Sequence, residues 1–116
     1  MKLSVLAVAL GDRSLDKALE FLSARGVQQV EVGCGGYPGK AHCDPAVLLQ
    51  DDAKLQQFKD TFKKHNLTIS ALSTHGNAVH PIPEIAKGYH DDFVNAVLLA
   101  EKLGVDTVMQ AISVLF

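Results

Sequence analysis

The sequence has no surplus of positive charge: 11 Lys and Arg stand against 13 Asp and Glu, for a net charge of −2. That balance excludes a simple electrostatic partner, so neither nucleic acid nor an anionic membrane surface is expected. Cysteine is scarce as well, with only Cys34 and Cys43, nine positions apart and without a C-x-x-C spacing. A zinc knuckle and a redox pair are thereby excluded, and the two read as free thiols in a reducing, cytoplasmic setting. No apolar run approaches the roughly 20 residues of a membrane span. The apolar amino terminus resembles a secretory leader only superficially, because Gly11-Asp12-Arg13 interrupts it and no small-x-small cleavage site follows. It reads as a first buried strand.

Nucleotide and hydrolase signatures are missing too. Neither a P-loop nor G-x-S-x-G occurs. The glycines from Gly33 to Gly39 follow a strand, but the run fails G-x-G-x-x-G at Pro38 and no helix opens directly behind it. A dinucleotide cofactor is therefore not expected.

What is present is a repeated strand–loop–helix unit. Leu3 to Leu10 is apolar on both faces apart from Ser4, as in a central parallel strand. Ser14 caps a helix with Leu15, Ala18, Leu19 and Leu22 at helical spacing, ended by Gly26. Gln28 to Val32 is a second strand, followed by a long loop to about Leu48. Asp51 or Asp52 opens the next helix, whose buried stripe is Leu55, Phe58 and Phe62. Ile69 to Ser73 is a third strand. A last helix carries Tyr89, Phe93, Ala96, Val97, Ala100 and Leu103 as its stripe and stops at Gly104, and a fourth strand starts at Asp106. The helix-stop-to-strand joints at Gly26-Val27, Asn66-Leu67 and Gly104-Val105 recur 40 and 38 residues apart, one unit each. The fold class is α/β, a parallel βαβαβαβ arrangement.

Within it, the stretch from Ile69 to Pro81 draws attention. If Ile69 to Ser73 is a buried parallel strand, His75, Asn77 and His80 sit just past its carboxyl end, where α/β folds place ligand sites. Glu31 is a carboxylate inside a strand pattern, which calls for a polar cavity at the strand end. Asn77 and His80 also fit ordinary turn chemistry. Tyr37 and His42 belong either to a lid over the mouth or to an ordered surface loop.

Gly26 to Gly33 with Glu31, the loop Gly35 to Gly39 leading to His42, the segment Leu72 to Pro81 with His75-Gly76-Asn77, and Leu98 to Val108 together resemble the sugar phosphate isomerase/epimerase family. That family has the xylose-isomerase-like (β/α)8 barrel, shared with endonuclease IV. The resemblance implies that residues 1–116 form a single partial barrel domain, its first half, since a closed barrel needs about 250 residues. It implies catalytic roles for Glu31 and His75, substrate contacts from Tyr37, His42, Asn77 and His80, and a metal-ligand role for His75. It further implies a divalent ion (Mn, Mg or Zn) in the full-length family, one this chain need not hold, and a sugar or sugar-phosphate substrate. Met109 to Phe116 stands where the family has a further polar loop, so the chain is expected to be a fragment lacking most of the ligands and inactive alone.

The alternative is a non-catalytic half-barrel that serves folding or assembly. On that reading the face meant for the barrel interior is apolar. Leaving Val5, Leu6, Ile69 and Ile112 in water would forfeit about 1.5–3 kcal/mol each. Self-association into a homodimer or higher oligomer, through open sheet edges and the tail from Ala111 to Phe116, would supply the cover.

Overall fold

The computed structural model describes residues 1–111. Four parallel strands lie in chain order: β1 (Ser4–Leu6), β2 (Gln29–Gly33), β3 (Thr68–Ser73) and β4 (Val108–Met109). The helices between them are α1 (Leu15–Ser23), α2 (Pro45–Gln50), α3 (Asp52–Lys64) and α4 (Pro83–Leu103). The expected alternation of strand and helix is therefore present, with α2 and α3 sharing one crossover.

Local chemistry sets the helix boundaries. Ser14 Oγ accepts from the Lys17 amide at the start of α1, and Asp51 Oδ1 accepts from the Ala53 and Lys54 amides at the start of α3. Pro83 occupies the first turn of α4, where a missing N–H costs nothing, and Gly104 closes it in the left-handed conformation at φ 69°. Ala18, Leu19 and Leu22 of α1 and Leu55, Phe58 and Phe62 of α3 are buried as their spacing requires. They cover Val30, Val32 and Leu72 on the sheet, forming a continuous core.

Three expectations are corrected. The first strand is only Ser4–Leu6 rather than Leu3 to Leu10, because Ala7 to Leu10 coils into a 3-10 turn. The loop running to Leu48 contains α2, capped by Asp44 with Pro45 in its first turn. The stripe of α4 is rotated: Leu99 is fully buried beside Ala96 and Ala100, whereas Val97 is 44% exposed.

The apolar inner face is also corrected. Val5 and Ile69 pack with the helix-side core, because Val5 is level with Val30 and a bulge after Val30 keeps Ile69 on that side. The opposite face carries Ser4, Gln29, Glu31, Ser70 and Ser73, with Leu6, Ala71 and Met109. It is mixed rather than apolar. Ile112, and the tail past Ala111, lie outside the described residues.

Outside the core, Asp16 at the start of α1 accepts from His65 Nε2 (2.8 Å) and Lys64 Nζ (3.1 Å) at the end of α3. These two donors, His65 first, hold the Asp16 carboxyl below the usual carboxylate range. A lowered folded-state value means stability that is present above the unfolded value of about 3.9 and lost as pH falls through the folded one. Thermal melts from pH 5 downward are expected to show this acid-side loss, and Asp16→Asn is expected to remove its share and flatten the profile.

Candidate functional site

The carboxyl ends of the strands, the mouth of a (β/α)8 barrel, are bordered by the loops that carry the expected site residues. The sheet curls tightly enough that Ser4 Oγ on β1 lies 2.8 Å from Ser70 Oγ on β3, across β2. Glu31 sits on this inner side, half-buried, level with Leu6 and Ala71. Among the described residues it makes no ion pair or hydrogen bond. Thr74, fully buried just past β3, has a hydroxyl with no partner among the same residues.

Two loops at this end are stitched together. The Cys34 amide donates to the Ser73 carbonyl (2.9 Å) and the Tyr37 amide to the His75 carbonyl (2.7 Å). Between them the Gly36 amide donates to Asp92 Oδ2 on α4 (2.9 Å), and Lys40 Nζ pairs with Asp92 Oδ1 at 3.0 Å. Gly36 has φ 62°, and a Cβ there would strike the His75 carbonyl oxygen. At Gly76 the obstacle is a side chain, because the Tyr89 ring occupies the place of its Cβ. Tyr89 in turn meets the ring of Tyr37 edge-on at 5.5 Å.

His75 turns its Nδ1 to the Ala111 amide, which donates at 2.9 Å. A nitrogen that accepts has no proton, so the neutral ring carries its proton on Nε2. This is the reverse of a metal-bound histidine, which donates from one nitrogen and binds with the lone pair of the other. No three of His, Cys, Asp and Glu gather into a metal-holding group among the described residues. The described residues of this chain do not by themselves assemble a ligand set for a divalent ion.

The other expected site residues spread along the rim. Asn77 is 4% exposed; its side-chain oxygen accepts from the Val79 amide at 3.1 Å, a turn contact. His80 Nδ1 accepts from the Ile82 amide at the entry to α4 (3.0 Å). His42 Nε2 lies 2.8 Å from the Arg13 carbonyl and ties the loop after β2 to the loop after β1. Tyr37 is half exposed and faces Tyr89.

Sequence reasoning missed Lys40, Tyr89 and Asp92 as a group. Asp92 meets Gly36 across 56 positions of sequence, and no local pattern announces that meeting. Both cysteines are buried free thiols. Burial, reinforced by the Asp92 charge, pushes the Cys34 thiol up to about 12, and burial raises Cys43 as well. Neither is a nucleophile at neutral pH. Among the described residues no helix is long and apolar enough to cross a membrane.

No family model matches the chain. Among curated proteins it is 32% identical over 109 residues to the "uncharacterized protein YfiH" of Bacillus subtilis strain 168. That match takes in 94% of this chain and 34% of YfiH, so the chain spans about a third of its relative's length. Among solved structures it superimposes on the probable 3-DHS dehydratase AsbF of Bacillus anthracis, a protein involved in petrobactin synthesis, with a TM-score of 0.63. The overlap covers 95% of this chain and 38% of AsbF at 14% identity. At that identity the likeness shows the fold alone, and the fold is half of a (β/α)8 barrel.

Proposed function

We propose that this chain supplies one half of the mouth of a sugar isomerase- or epimerase-like enzyme, which moves a proton at the carbon next to a sugar carbonyl. The observation that carries the reading is the Glu31 carboxylate on the inner side of β2, level with Leu6 and Ala71. Barrel interiors are normally filled by bulky branched side chains, and here a carboxylate stands in the place of one. A carboxylate at this position needs water or a hydroxylated ligand to satisfy it.

In this reading the Glu31 carboxylate accepts the proton from the substrate carbon and returns it to the adjacent carbon or to the opposite face. The Nε2–H of His75 donates a hydrogen bond to the carbonyl or hydroxyl oxygen as charge builds there. The unpartnered Thr74 hydroxyl is a further group for a substrate oxygen. The divalent ion of the family has no ligand set among the described residues.

Incubating the chain in deuterated water with a panel of sugars and sugar phosphates tests this. Exchange at the carbon next to the carbonyl is expected only where a second half completes the mouth, and is then lowered by about 10²–10⁴-fold in Glu31→Gln. No exchange with any substrate even then would favour the second reading, a silent half-barrel that self-associates. That alternative draws support from the open edges of β1 and β4 and from Val94, Val97 and Leu98, which are 40–46% exposed along one side of α4. A clean monomer by light scattering at micromolar concentration would overturn it.

A further inference from the structure

We infer that the cleft between the loop after β2 and the first half of α4, on the side of that helix continuous with its buried stripe, is a binding subsite for a neutral polyhydroxylated ring, separate from the Glu31–His75 mouth. The cleft measures about 540 Å³, within the roughly 300–1,000 Å³ of ordinary ligand pockets. Its floor is bare backbone at Gly35, Gly36 and Gly39, its wall is Ile85 and the ring of Tyr89, and the Lys40–Asp92 ion pair lies at its side.

Gly88 is the telling residue. Gly35 and Gly36 are explained from within the chain, because a Cβ at either would strike Asp92 or the His75 backbone, and Gly39 by its φ of 74°. Gly88 has neither excuse. It sits inside a 21-residue helix, where glycine is disfavoured, and a Cβ added there meets nothing within 4 Å. A side chain at Gly88 would project into the cleft, so the glycine leaves that volume open to a ligand.

The chemistry of the lining selects the occupant. An anion would face Asp92, with Asp44 also close enough to act on Lys40. A cation would face the Lys40 ammonium. A neutral ring bearing hydroxyls suits both members of the pair: Lys40 has two N–H groups left after Asp92, and the Asp92 oxygens retain lone pairs. Tyr89, pinned between Gly76 and Tyr37, and Ile85, 40% exposed, offer an apolar wall to the C–H side of such a ring. The site takes either a free ring or the far end of a longer glycoside.

Titration of the ¹⁵N-labelled chain with xylose, glucose, myo-inositol and a disaccharide, against benzoate and inorganic phosphate as charged controls, tests the assignment by amide shifts. Saturable shifts at Gly35 to Lys40 and at Gly88 to Asp92 with the ring polyols are expected. Gly88→Leu, which fills the cleft, and Lys40→Met are each expected to weaken binding at least about tenfold, the scale of one good contact. Gly88→Ala is expected to raise the melting temperature, which shows that the helix tolerates a side chain there. Equal binding of monosaccharide and disaccharide identifies a free ring, and binding of the disaccharide alone identifies a glycoside end. No saturable shift with any polyol, preference for benzoate or phosphate, or unchanged affinity in Gly88→Leu would overturn the proposal. The readout is binding, so it stands or falls independently of turnover at the mouth.

Discussion

Replacing Leu72 with alanine is expected to lower the free energy of unfolding by about 3–5 kcal/mol, read as a fall in the urea midpoint at unchanged slope. Leu72 is fully buried in β3, level with Val32 on one side and Val108 on the other. Its amide donates to the Thr107 carbonyl, so the backbone at this position is held and cannot close on the space left by the lost methyl groups. The neighbouring valines are stiff about χ1 and relax little into a gap. A small domain has only about 5–15 kcal/mol of stability in all, so this one truncation brings the chain near its unfolding threshold. Leu98→Ala deletes the same atoms from the outer side of α4, where Leu98 is 46% exposed, and is expected to stay within about 0.5 kcal/mol. A cost at Leu98 approaching that at Leu72 would mean that the outer side of α4 is covered in solution, which is the self-association reading.

The contrast between these leucines also shows what the sequence could and could not reveal. Apolar spacing placed α1 and α3 correctly because each has one strong stripe, a capping Ser14 or Asp51, and no competing apolar side. In α4 apolar residues occur on two sides, Val94, Val97 and Leu98 on one and Ala96, Leu99, Ala100 and Leu103 on the other, so periodicity alone chose a stripe rotated by part of a turn. The short α2 had a readable signal, Asp44 followed by Pro45, which length alone obscured.

The inner face was harder to read. Strand alternation predicts faces only while the register is regular, and the bulge after Val30 inserts Ser70 into the count. That single shift sends Ile69 to the core and turns Ser70 to the inner face, where its hydroxyl meets that of Ser4. Glu31 and His75 could be proposed from sequence because strand ends of parallel sheets are privileged positions. The network of Gly36, Lys40 and Asp92 could not, because it joins a loop to a helix far along the chain by polar contacts that leave no periodic trace.

That network gives the second large effect. Gly36→Ala is expected to destabilise the chain by about 3 kcal/mol or more and to detach the loop after β2 from the mouth. Two costs combine. An alanine at φ 62° pays about 1–2 kcal/mol for the left-handed conformation. Its Cβ would also strike the His75 carbonyl oxygen, which already accepts from the Tyr37 amide, so the loop must lift away. Lifting breaks the charge-assisted bond from the Gly36 amide to Asp92, worth about 1.5–3 kcal/mol. Gly26→Ala separates the two costs: Gly26 has φ 78° with nothing within 4 Å of an added Cβ, so it is expected to show the conformational penalty alone. Urea midpoints of the two variants, with hydrogen exchange at the Tyr37 amide as the local readout, decide the matter. Equal destabilisation, with the Tyr37 amide still protected in Gly36→Ala, would mean that the loop yields without losing its hold on His75. A larger loss at Gly36 with rapid Tyr37 exchange would place the junction of mouth and rim cleft at the Gly36–His75 contact, where the two proposed sites share one stretch of backbone.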